Sequence, residues 1–189
     1  MSMSGRFDFL ATPITGLQLV QRKPRGDQRG YLQRLFCSDD MQELGWTAPI
    51  AQINHTYTAR KGTLRGLHLQ LQPFAEMKLV SCMKGEVWDV AVDLRAGSPH
   101  FLQWHAVLLS AQNQRSYLIP AGFAHGFQTM TDDVEMLYCH SQPYMPASEM
   151  GVHPMDSRLA ITWPLAVSEM SDRDNHGISL DTDFQGVNV

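Results

Sequence analysis

Apolar and polar residues alternate along much of the chain with the period of two that is typical of β-strands. The clearest case is Glu86–Leu94, where Trp88 and every second residue after it are apolar. The other phase of the same segment contains Asp89 and Asp93 among small and branched apolar residues. A segment with one apolar and one mixed phase is predicted to form a half-buried strand.

The same alternation predicts ten strands in all, separated by turn residues. They are Leu17–Arg22, Tyr31–Phe36, Ile50–Tyr57, Thr63–Gln70, Met77–Met83, Glu86–Leu94, Gln103–Leu109, Ser116–Ile119, Ala124–Met130 and Val134–Gln142. Gly, Pro and Ser occupy the predicted turns, as at 96–99. One short helix is predicted at Asp39–Leu44, with Ser38 as its N-cap and Gly45 as its C-terminal stop.

About ten short strands at even spacing predict an all-β fold, a double-stranded β-helix of the cupin jelly-roll type with short flanking helices. The length of 189 residues suits a single domain with one sizeable core. We expect the barrel core at about residues 26–145. The segment 146–189 is richer in Pro, Asp and Ser and is expected to wrap on the barrel.

The composition excludes several classes of protein. A net charge of -4 gives no electrostatic reason to expect binding to nucleic acid or to an anionic membrane. No apolar run approaches the ~20 residues needed to span a bilayer, and Arg6 and Asp8 interrupt the N-terminal segment where a signal peptide is apolar. Cys37, Cys82 and Cys139 are scattered and odd in number, so we expect a reduced, cytoplasmic setting.

Three polar residues stand in or beside predicted strands and are candidates for chemistry. His68 lies in the run 62–70, Lys78 follows ten residues later, and His125 lies in 120–127. Strand alternation can bring all three into the interior of one barrel. Burying such groups without partners is costly, so they indicate catalysis or anion binding, and we interpret the chain as an enzyme that transfers protons beside an activated carbonyl.

Several segments between Gly26 and Asp174 follow one another in the order found in a known family. They are Gly26-Asp27-Gln28-Arg29-Gly30, Gln52-Ile53-Asn54, Leu64-Arg65-Gly66-Leu67-His68-Leu69-Gln70, Lys78-Leu79-Val80, Gly85 to Asp93, Ile119 to Phe127, Tyr138 and Trp163-Pro164-Leu165. Together they resemble the dTDP-4-dehydrorhamnose 3,5-epimerase family of the cupin superfamily.

The resemblance implies epimerisation beside the ketone of a nucleotide-linked, dTDP-type 4-keto-6-deoxyhexose. A C–H bond beside a carbonyl yields its proton only if a base is aimed at it and the enolate is stabilised. By resemblance, His68 is the base, Asp174 orients it, Lys78 offsets the enolate charge and Tyr138 reprotonates the opposite face. No cofactor and no metal are expected.

The resemblance also implies which residues contact the nucleotide sugar. These residues are Arg29, Gln52, Asn54, Arg65 and His125. The two arginines suit a diphosphate because the guanidinium presents paired donors.

A homodimer formed by exchange of N-terminal strands is expected by the same resemblance, since exchange removes an exposed sheet edge. Leu17–Arg22 is apolar enough to be the exchanged strand, and Arg29 would then reach the neighbour's site.

Alternatives from other classes remain open at this point. His68, Gln70, Glu76 and His125 could form a poor metal site of the cupin kind, although Gln is a weak ligand and Lys78 would place a cation beside the metal. A cupin sugar-nucleotide 3,4-ketoisomerase is the nearest enzymatic rival. A non-catalytic cupin that binds a nucleotide sugar is the rival outside enzymes.

Three departures from the family pattern bear on the substrate. The family has Asp-Tyr-Tyr where this chain has Gln142-Pro143-Tyr144, and usually Glu where this chain has Arg34. Ser81-Cys82-Met83 is also unusual. We therefore expect the chemistry to be retained, with the nucleobase, the sugar and the number of inverted centres left open.

Overall fold

The computed structural model describes residues 5–189. Within them the chain forms thirteen β-strands, two short α-helices and one 3-10 turn at Pro146–Ser148. The strands are β1 (Phe7–Ala11), β2 (Gln18–Arg22), β3 (Arg25–Asp27), β4 (Gly30–Leu32), β5 (Gln52–Thr58), β6 (Leu64–Gln70), β7 (Lys78–Lys84), β8 (Glu86–Asp93), β9 (Trp104–Ser110), β10 (Arg115–Ile119), β11 (Phe123–Thr129), β12 (Val134–His140) and β13 (Glu149–Gly151). The helices are α1 (Ser38–Gln42) and α2 (Asp172–Asn175).

Two antiparallel sheets build the molecule. The six-stranded sheet has the order β1-β2-β10-β7-β12-β5, and the five-stranded sheet has the order β13-β6-β11-β8-β9. Neighbouring strands in each sheet are mostly distant in sequence, as in a jelly roll. β3 and β4 form a separate two-stranded hairpin. The prediction of an all-β, cupin-type fold is confirmed.

The core lies where the two sheets face each other. Its buried residues come from strands of both sheets, including Val80 of β7, Tyr117 of β10, Ala91 of β8 and Phe127 of β11. Because successive side chains of a strand point to opposite faces, the polar residues in the inward phase of these strands point into the same interior. The fold therefore forces the candidate site and the apolar core to share one space.

β8 is buried on both faces, so the prediction of a half-buried strand is wrong. Its outward phase, including Val90 and Val92, packs in a second apolar cluster with Leu159, Ile161 and Leu180 of the C-terminal segment. The side chains of one phase, such as Ala91, are thus buried between the two sheets. Those of the other phase, such as Val90, are buried beneath the segment 152–187.

Other differences from the predicted elements have local causes. The predicted strand Tyr31–Phe36 ends at Leu32, because among residues 5–189 β4 pairs only with β3 and no further strand continues the ladder. Phe36 instead packs edge-on against Trp46, with ring centroids 5.2 Å apart. The alternation of apolar and polar residues does not predict β1, β3 and β13, which are only five, three and three residues long.

The predicted start of α1 was one residue late. Cys37 occupies the N-cap position without a side-chain cap, while Ser38 is already helical and its hydroxyl contacts Asp39. The free cysteines form no disulfide, and no helix within 5–189 is long and apolar enough to cross a membrane.

One irregularity in the five-stranded sheet determines the shape of the site. Between His125 and Phe127 on β11, the facing strand β6 advances from His68 to Arg65, one residue more. This is the arrangement of a β-bulge. It places Gly126 so close to β6 that a Cβ there would lie 2.6 Å from the carbonyl oxygen of Arg65.

We predict that Gly126→Ala destabilises the fold by about 1–3 kcal/mol or more, since the added methyl group meets backbone that cannot rotate away. Gly151→Ala is the matched control, because Gly151 is also in a strand and its added Cβ would meet only the His68 ring, at 3.8 Å. Urea unfolding of both variants measures the difference. Equal midpoints for the two variants would contradict the close approach of β6 and β11.

Candidate active site

A cavity of about 260 Å³ lies between the two sheets. The six-stranded sheet contributes Gln52, Asn54, Thr56, Lys78, Tyr138 and His140 to its wall. The five-stranded sheet contributes Arg65, His68, Leu69, Gln70, His125, Gly126, Phe127 and Glu149. The two sheets therefore form opposite walls, and each wall carries its own set of polar side chains.

Seven of the nine candidate residues line this cavity. They are His68, Lys78, Tyr138, Gln52, Asn54, Arg65 and His125. An eighth, Asp174, lies behind the ring of His68 and borders a neighbouring groove. The ninth, Arg29, lies on the hairpin and lines only a shallow depression there.

His68 and Asp174 form a hydrogen-bonded pair. Nε2 of His68 lies 2.8 Å from Oδ1 of Asp174, and the backbone N–H of Gly66 donates to Oδ2 at 3.2 Å. Ser171, the N-cap of α2, accepts from the backbone N–H of Asp174 and fixes the start of the helix. Burial would raise the pKa of Asp174, but the hydrogen bond and charge of His68 bring that pKa below its ordinary value.

This pairing assigns the protons of the His68 ring. Since Asp174 is a carboxylate, it can only accept, and the ring N–H must stand on Nε2. In the neutral ring the lone pair is then on Nδ1. The imidazole has a free basic nitrogen and a carboxylate that stabilises the imidazolium formed when that nitrogen takes a proton.

Lys78 is held at the cavity wall by two contacts. Its ammonium donates to the carbonyl oxygen of His68 at 3.0 Å and lies 3.3 Å from Oε1 of Glu76. An ammonium has three donors, so one N–H remains for a ligand. The position suits a cation that meets negative charge developing beside His68.

Tyr138 lies on the opposite sheet, between two histidine rings. Its ring stacks on His140 and meets His125 edge-on, each with a centroid distance of 6.1 Å. Burial, and then the charge of Asp89, raise the pKa of Tyr138 above its ordinary value. The phenol therefore holds its proton at neutral pH and is suited to act as an acid.

His125 has a carboxylate partner of its own. Its Nε2 lies 2.8 Å from Oδ1 of Asp89, and both side chains are buried. Burial raises the pKa of Asp89 although His125 opposes the shift. His125 was predicted as a site residue, but Asp89 was not. The available signal was a carboxylate in a strand phase that also contains Val87 and Ala91.

The bulge brings Arg65 and His68 to the same cavity. Residues three apart on a regular strand point to opposite faces, but the extra residue in β6 changes the phase between them. Arg65 also borders the neighbouring groove, together with His68 and Arg173. These two arginines thus stand where the cavity and the groove meet.

The rim of the cavity is a connected set of polar contacts. Gln52 donates to Asn54 at 3.0 Å and accepts from the backbone N–H of Tyr144 at 2.9 Å. The hydroxyl of Tyr144 donates to Glu149 at 2.9 Å, and Glu149 also pairs with Arg173. Tyr144 thus occupies the rim, although Gln142-Pro143 precede it in place of the family's residues.

Arg29 and the predicted exchange strand both lie away from the cavity of their own chain. Arg29 is 89% exposed and paired with Asp27 of its own hairpin, 2.6 Å away, so it reaches no cavity of its own chain. The exchange of Leu17–Arg22 between protomers stays a prediction. β2 pairs with both β1 and β10 of the same chain and offers no free edge.

The four residues of the metal alternative bond to different partners. Gln70 bonds to backbone groups of Phe74, Pro143 and Met145. Glu76 contacts Lys78 and His140. His68 contacts Asp174, and His125 contacts Asp89. Within 5–189 no three His, Cys, Asp or Glu side chains converge as metal ligands.

Sequence reasoning missed His140 and did not assign Glu76 to the proton-transfer site. Nδ1 of His140 lies 2.9 Å from Oε2 of Glu76, and both residues line the cavity. The residues are 64 positions apart, and only the pairing of β7 with β12 brings them together. The available signal was that His140 shares the strand phase of Tyr138.

A family model and the curated relatives of this chain point to the same family of enzymes. The family model described as dTDP-4-dehydrorhamnose 3,5-epimerase matches residues 11–182. A dTDP-4-dehydrorhamnose 3,5-epimerase of Shigella flexneri is 41% identical over 169 residues, which cover 89% of this chain and 93% of the relative.

Solved structures agree with the sequence relatives. A dTDP-6-deoxy-D-glucose-3,5-epimerase of Legionella pneumophila, solved with dTDP-4-keto-L-rhamnose, has a TM-score of 0.89 and 39% identity over 97% of this chain and 99% of that one. A 3'-monoepimerase of Streptomyces bikiniensis, solved with dTDP-quinovose, has a TM-score of 0.83 and 31% identity. The match covers 90% of this chain and 86% of that one. With the family model spanning nearly the whole chain, the protein belongs to the dTDP-4-dehydrorhamnose 3,5-epimerase family.

Proposed function

We propose that this protein inverts one or two carbons beside the ketone of a dTDP-linked 4-keto-6-deoxyhexose, with His68 as base and Tyr138 as acid. The observation that carries the mechanism is the placement of these residues on opposite walls. His68 belongs to β6 of one sheet and Tyr138 to β12 of the other, and both line the same cavity. A sugar ring between the sheets has one face toward each residue.

The proposed reaction is a balanced proton exchange. Nδ1 of His68 takes the proton from the carbon beside the ketone, and the electrons of that C–H bond form the enolate. The Lys78 ammonium stabilises the enolate oxygen, since a positioned charge acts strongly in a site shielded from water. Tyr138 then gives its proton to the other face of the carbon. His68 releases its proton to water and Tyr138 regains one, so no net oxidation or reduction occurs.

The proposed substrate matches the charges around the cavity. Arg65 and Arg173 border both the cavity and the neighbouring groove, so a diphosphate between them can join a sugar in the cavity to a nucleoside in the groove. Arginine is suited to bidentate phosphate contacts. Gln52 and Asn54 stand at the rim as sugar contacts, and His125 lines the wall.

The number of inverted centres distinguishes two candidates within the proposal. Relatives of this chain include both 3,5-epimerases and 3-epimerases. Each centre beside the ketone exchanges its proton if the base reaches it. Mass analysis of the sugar after reaction in D₂O counts the deuterons gained and so separates the two.

We also propose that the chain, residues 1–189, acts as one domain, with the barrel core at about 26–145 and the segment 146–189 packed on it. The C-terminal segment supplies Asp174 to the site and covers the outer face of the five-stranded sheet through Leu159, Ile161 and Leu180. Without the C-terminal segment, the barrel would expose the outer apolar face of this sheet and would lack Asp174. Without the barrel, the segment would have no apolar surface to pack against.

A cytoplasmic setting is part of the proposal. Cys37, Cys82 and Cys139 are all free thiols, as is usual in a reducing compartment.

We predict that His68→Ala loses exchange of the substrate C–H with D₂O by about 10²–10⁴-fold, the usual contribution of a general base. The dissociation constant for dTDP should stay within about threefold, because the phosphates are held elsewhere. His100→Ala is the control, since His100 bonds to Thr15 and Gln103 outside the cavity. Near-normal exchange in His68→Ala would remove His68 from the mechanism.

Tyr138→Phe should separate exchange from inversion. The variant keeps the ring that stacks on His140 and loses only the proton donor. His68 can still remove the proton and return a deuteron to the same face, so exchange should continue while inverted product falls by about 10²-fold or more. Mass spectrometry and NMR of one sample give both quantities. Equal loss of both would assign Tyr138 to binding rather than to reprotonation.

We further propose a homodimer in which the hairpin of one protomer reaches the partner's cavity. Every residue of β3 and β4 is exposed, and Tyr31 and Leu32 are each 65% exposed. A two-stranded hairpin by itself is marginally stable in water, so contact with a second protomer would stabilise it. Arg29, at its turn, would then supply a cation to the other site.

Mixing two impaired variants tests this arrangement. In a mixed dimer of Arg29→Ala and His68→Ala, one site combines the intact His68 with the intact Arg29 of the other chain. We expect the mixture to exceed the summed activities of the separate variants, and light scattering to give about twice the chain mass of 21.3 kDa. A monomer at micromolar concentration, or no gain on mixing, would contradict the proposal.

A further inference from the structure

Glu76, Lys78 and His140 form a buried charge cluster at the cavity wall. Oε1 of Glu76 lies 3.3 Å from the Lys78 ammonium, and Oε2 lies 2.9 Å from Nδ1 of His140. The side chains are 7%, 9% and 12% exposed, respectively. The proposed proton transfer uses only Lys78 of these three, so Glu76 and His140 need a separate account.

The same combination of residues occurs on the surface, where it serves as an internal comparison. Glu135 lies 3.1 Å from Nε2 of His55 and 4.0 Å from the Lys84 ammonium, with side chains 35%, 56% and 57% exposed. Exposed pairs of this kind contribute little because water and salt screen them. In the buried cluster the screening is weaker, so each charge has a larger effect on its neighbours.

Glu76 is a carboxylate at neutral pH. Burial would raise its pKa, but the hydrogen bond from His140 and the charge of Lys78 bring that pKa below its ordinary value. A buried ionised carboxylate with two donors is fixed in orientation, since leaving either oxygen unpaired would be costly. Glu76 therefore presents its Oε1 to Lys78 in a single geometry.

We propose that Glu76, fixed by His140, is a positioning residue that holds the Lys78 ammonium at the cavity and keeps it charged while the enolate forms. This inference rests on the proposed function for its kinetic consequence. The carbonyl oxygen of His68 and Oε1 of Glu76 take two of the three N–H donors of Lys78. The third is left for the enolate oxygen.

Other groups around Lys78 do not replace Glu76 in this role. Asp89 acts on Lys78 only through its charge and is already bonded to His125. His68 offers its backbone carbonyl to Lys78, while its ring is bonded to Asp174. On β5 and β12, which belong to the same sheet as Lys78, Asn54 is neutral and Tyr138 keeps its proton. Glu76 is the carboxylate in direct contact with the ammonium.

The role of His140 is to fix Glu76. With its N–H on Nδ1 toward the carboxylate, His140 has a lone pair on Nε2, which lies 3.5 Å from the amide nitrogen of Asn54. The ring also stacks on Tyr138. His140 thus links the carboxylate that holds Lys78 to the wall that carries the acid.

The first test is Glu76→Gln, which keeps the shape of the side chain and removes its charge. We expect kcat to fall about tenfold or more at pH 8 with KM within about threefold, because Lys78 acts on the transition state rather than on binding. The alkaline limb of the kcat profile should also move to lower pH, since the ammonium loses the carboxylate that contacts it.

Glu135→Gln is the matched control, because it removes the carboxylate of the surface cluster. Its kcat, KM and pH profile should equal those of the wild type. An unchanged kcat profile in Glu76→Gln, or a rise in KM alone, would overturn the proposal.

The second test separates the role of His140 in fixing Glu76 from its role in packing. His140→Phe keeps a ring against Tyr138 and loses the N–H, whereas His140→Asn can still donate to Glu76. We expect His140→Phe to shift the profile in the same direction as Glu76→Gln and His140→Asn to restore most of it. The double variant Glu76→Gln/His140→Phe should be no worse than Glu76→Gln, since both changes act through one contact. Additive losses would contradict this.

A readout without substrate separates failure of this inference from failure of the proposed function. Nitrogen-15 NMR follows the loss of the Lys78 ammonium proton with rising pH in the wild type, Glu76→Gln and Glu135→Gln. The loss should occur at lower pH only in Glu76→Gln. If the wild type lacks epimerase activity, the proposed function fails while this result still tests the inference. If the wild type is active and Lys78 titrates identically in all three proteins, only the inference fails.

Discussion

The hydrogen bond between His68 and Asp174 is the interaction on which the site depends. It joins β6 to α2 across 106 positions of sequence, so the site is complete only when the C-terminal segment is packed against the barrel. Its direction places the ring proton on Nε2 and leaves Nδ1 basic. Without this bond the same histidine in the same strand would have no fixed tautomer.

Burial between two sheets also explains the pairing of the other ionisable groups. His125 pairs with Asp89, Lys78 with Glu76, and Glu76 with His140. Leaving any of these charges unpaired in an apolar interior would cost several kcal/mol. Because each charge already has a partner, the cavity can take up a further negative charge only where a donor is still free, as on Lys78. In the proposed reaction, the pairing that satisfies the fold therefore also directs where the enolate forms.

The architecture supplies the opposed groups that inversion requires. A single sheet presents its polar residues to one side, whereas two facing sheets present them to both faces of a ligand held between them. His68 and Tyr138 come from different sheets, and the bulge near Gly126 adds Arg65 to the wall that carries His68. Strand phase and register together determine the site, and the apolar core beneath it keeps both walls rigid.

Much of this arrangement could be predicted from the sequence, and the omissions have physical reasons. Long strands with clear alternation, such as β8, were predicted to within one residue. Strands of three residues, such as β13, carry too short a pattern to be recognised. Seven of the residues that line the cavity were predicted as site residues because motifs of the family contain them.

Partners were harder to predict than site residues. Asp89 and His140 were missed because their roles depend on contacts between strands that alternation in one segment does not specify. The prediction for Leu17–Arg22 rests on apolar content, which does not distinguish an interior strand such as β2 from an edge strand. Arg29 was predicted by resemblance alone. Its position on a separate hairpin follows from the pairing of β3 with β4, which the alternation pattern does not predict.

The most direct test of the account is a crystal structure with dTDP-4-keto-L-rhamnose bound. We expect the sugar to lie between the sheets, with the carbon beside the ketone about 3–3.5 Å from Nδ1 of His68 on one face, as a reactive geometry requires. The Tyr138 hydroxyl should stand over the opposite face, and the Lys78 ammonium should contact the ketone oxygen. A sugar with His68 and Tyr138 on the same face, or with its ketone turned away from Lys78, would contradict the proposed proton transfer.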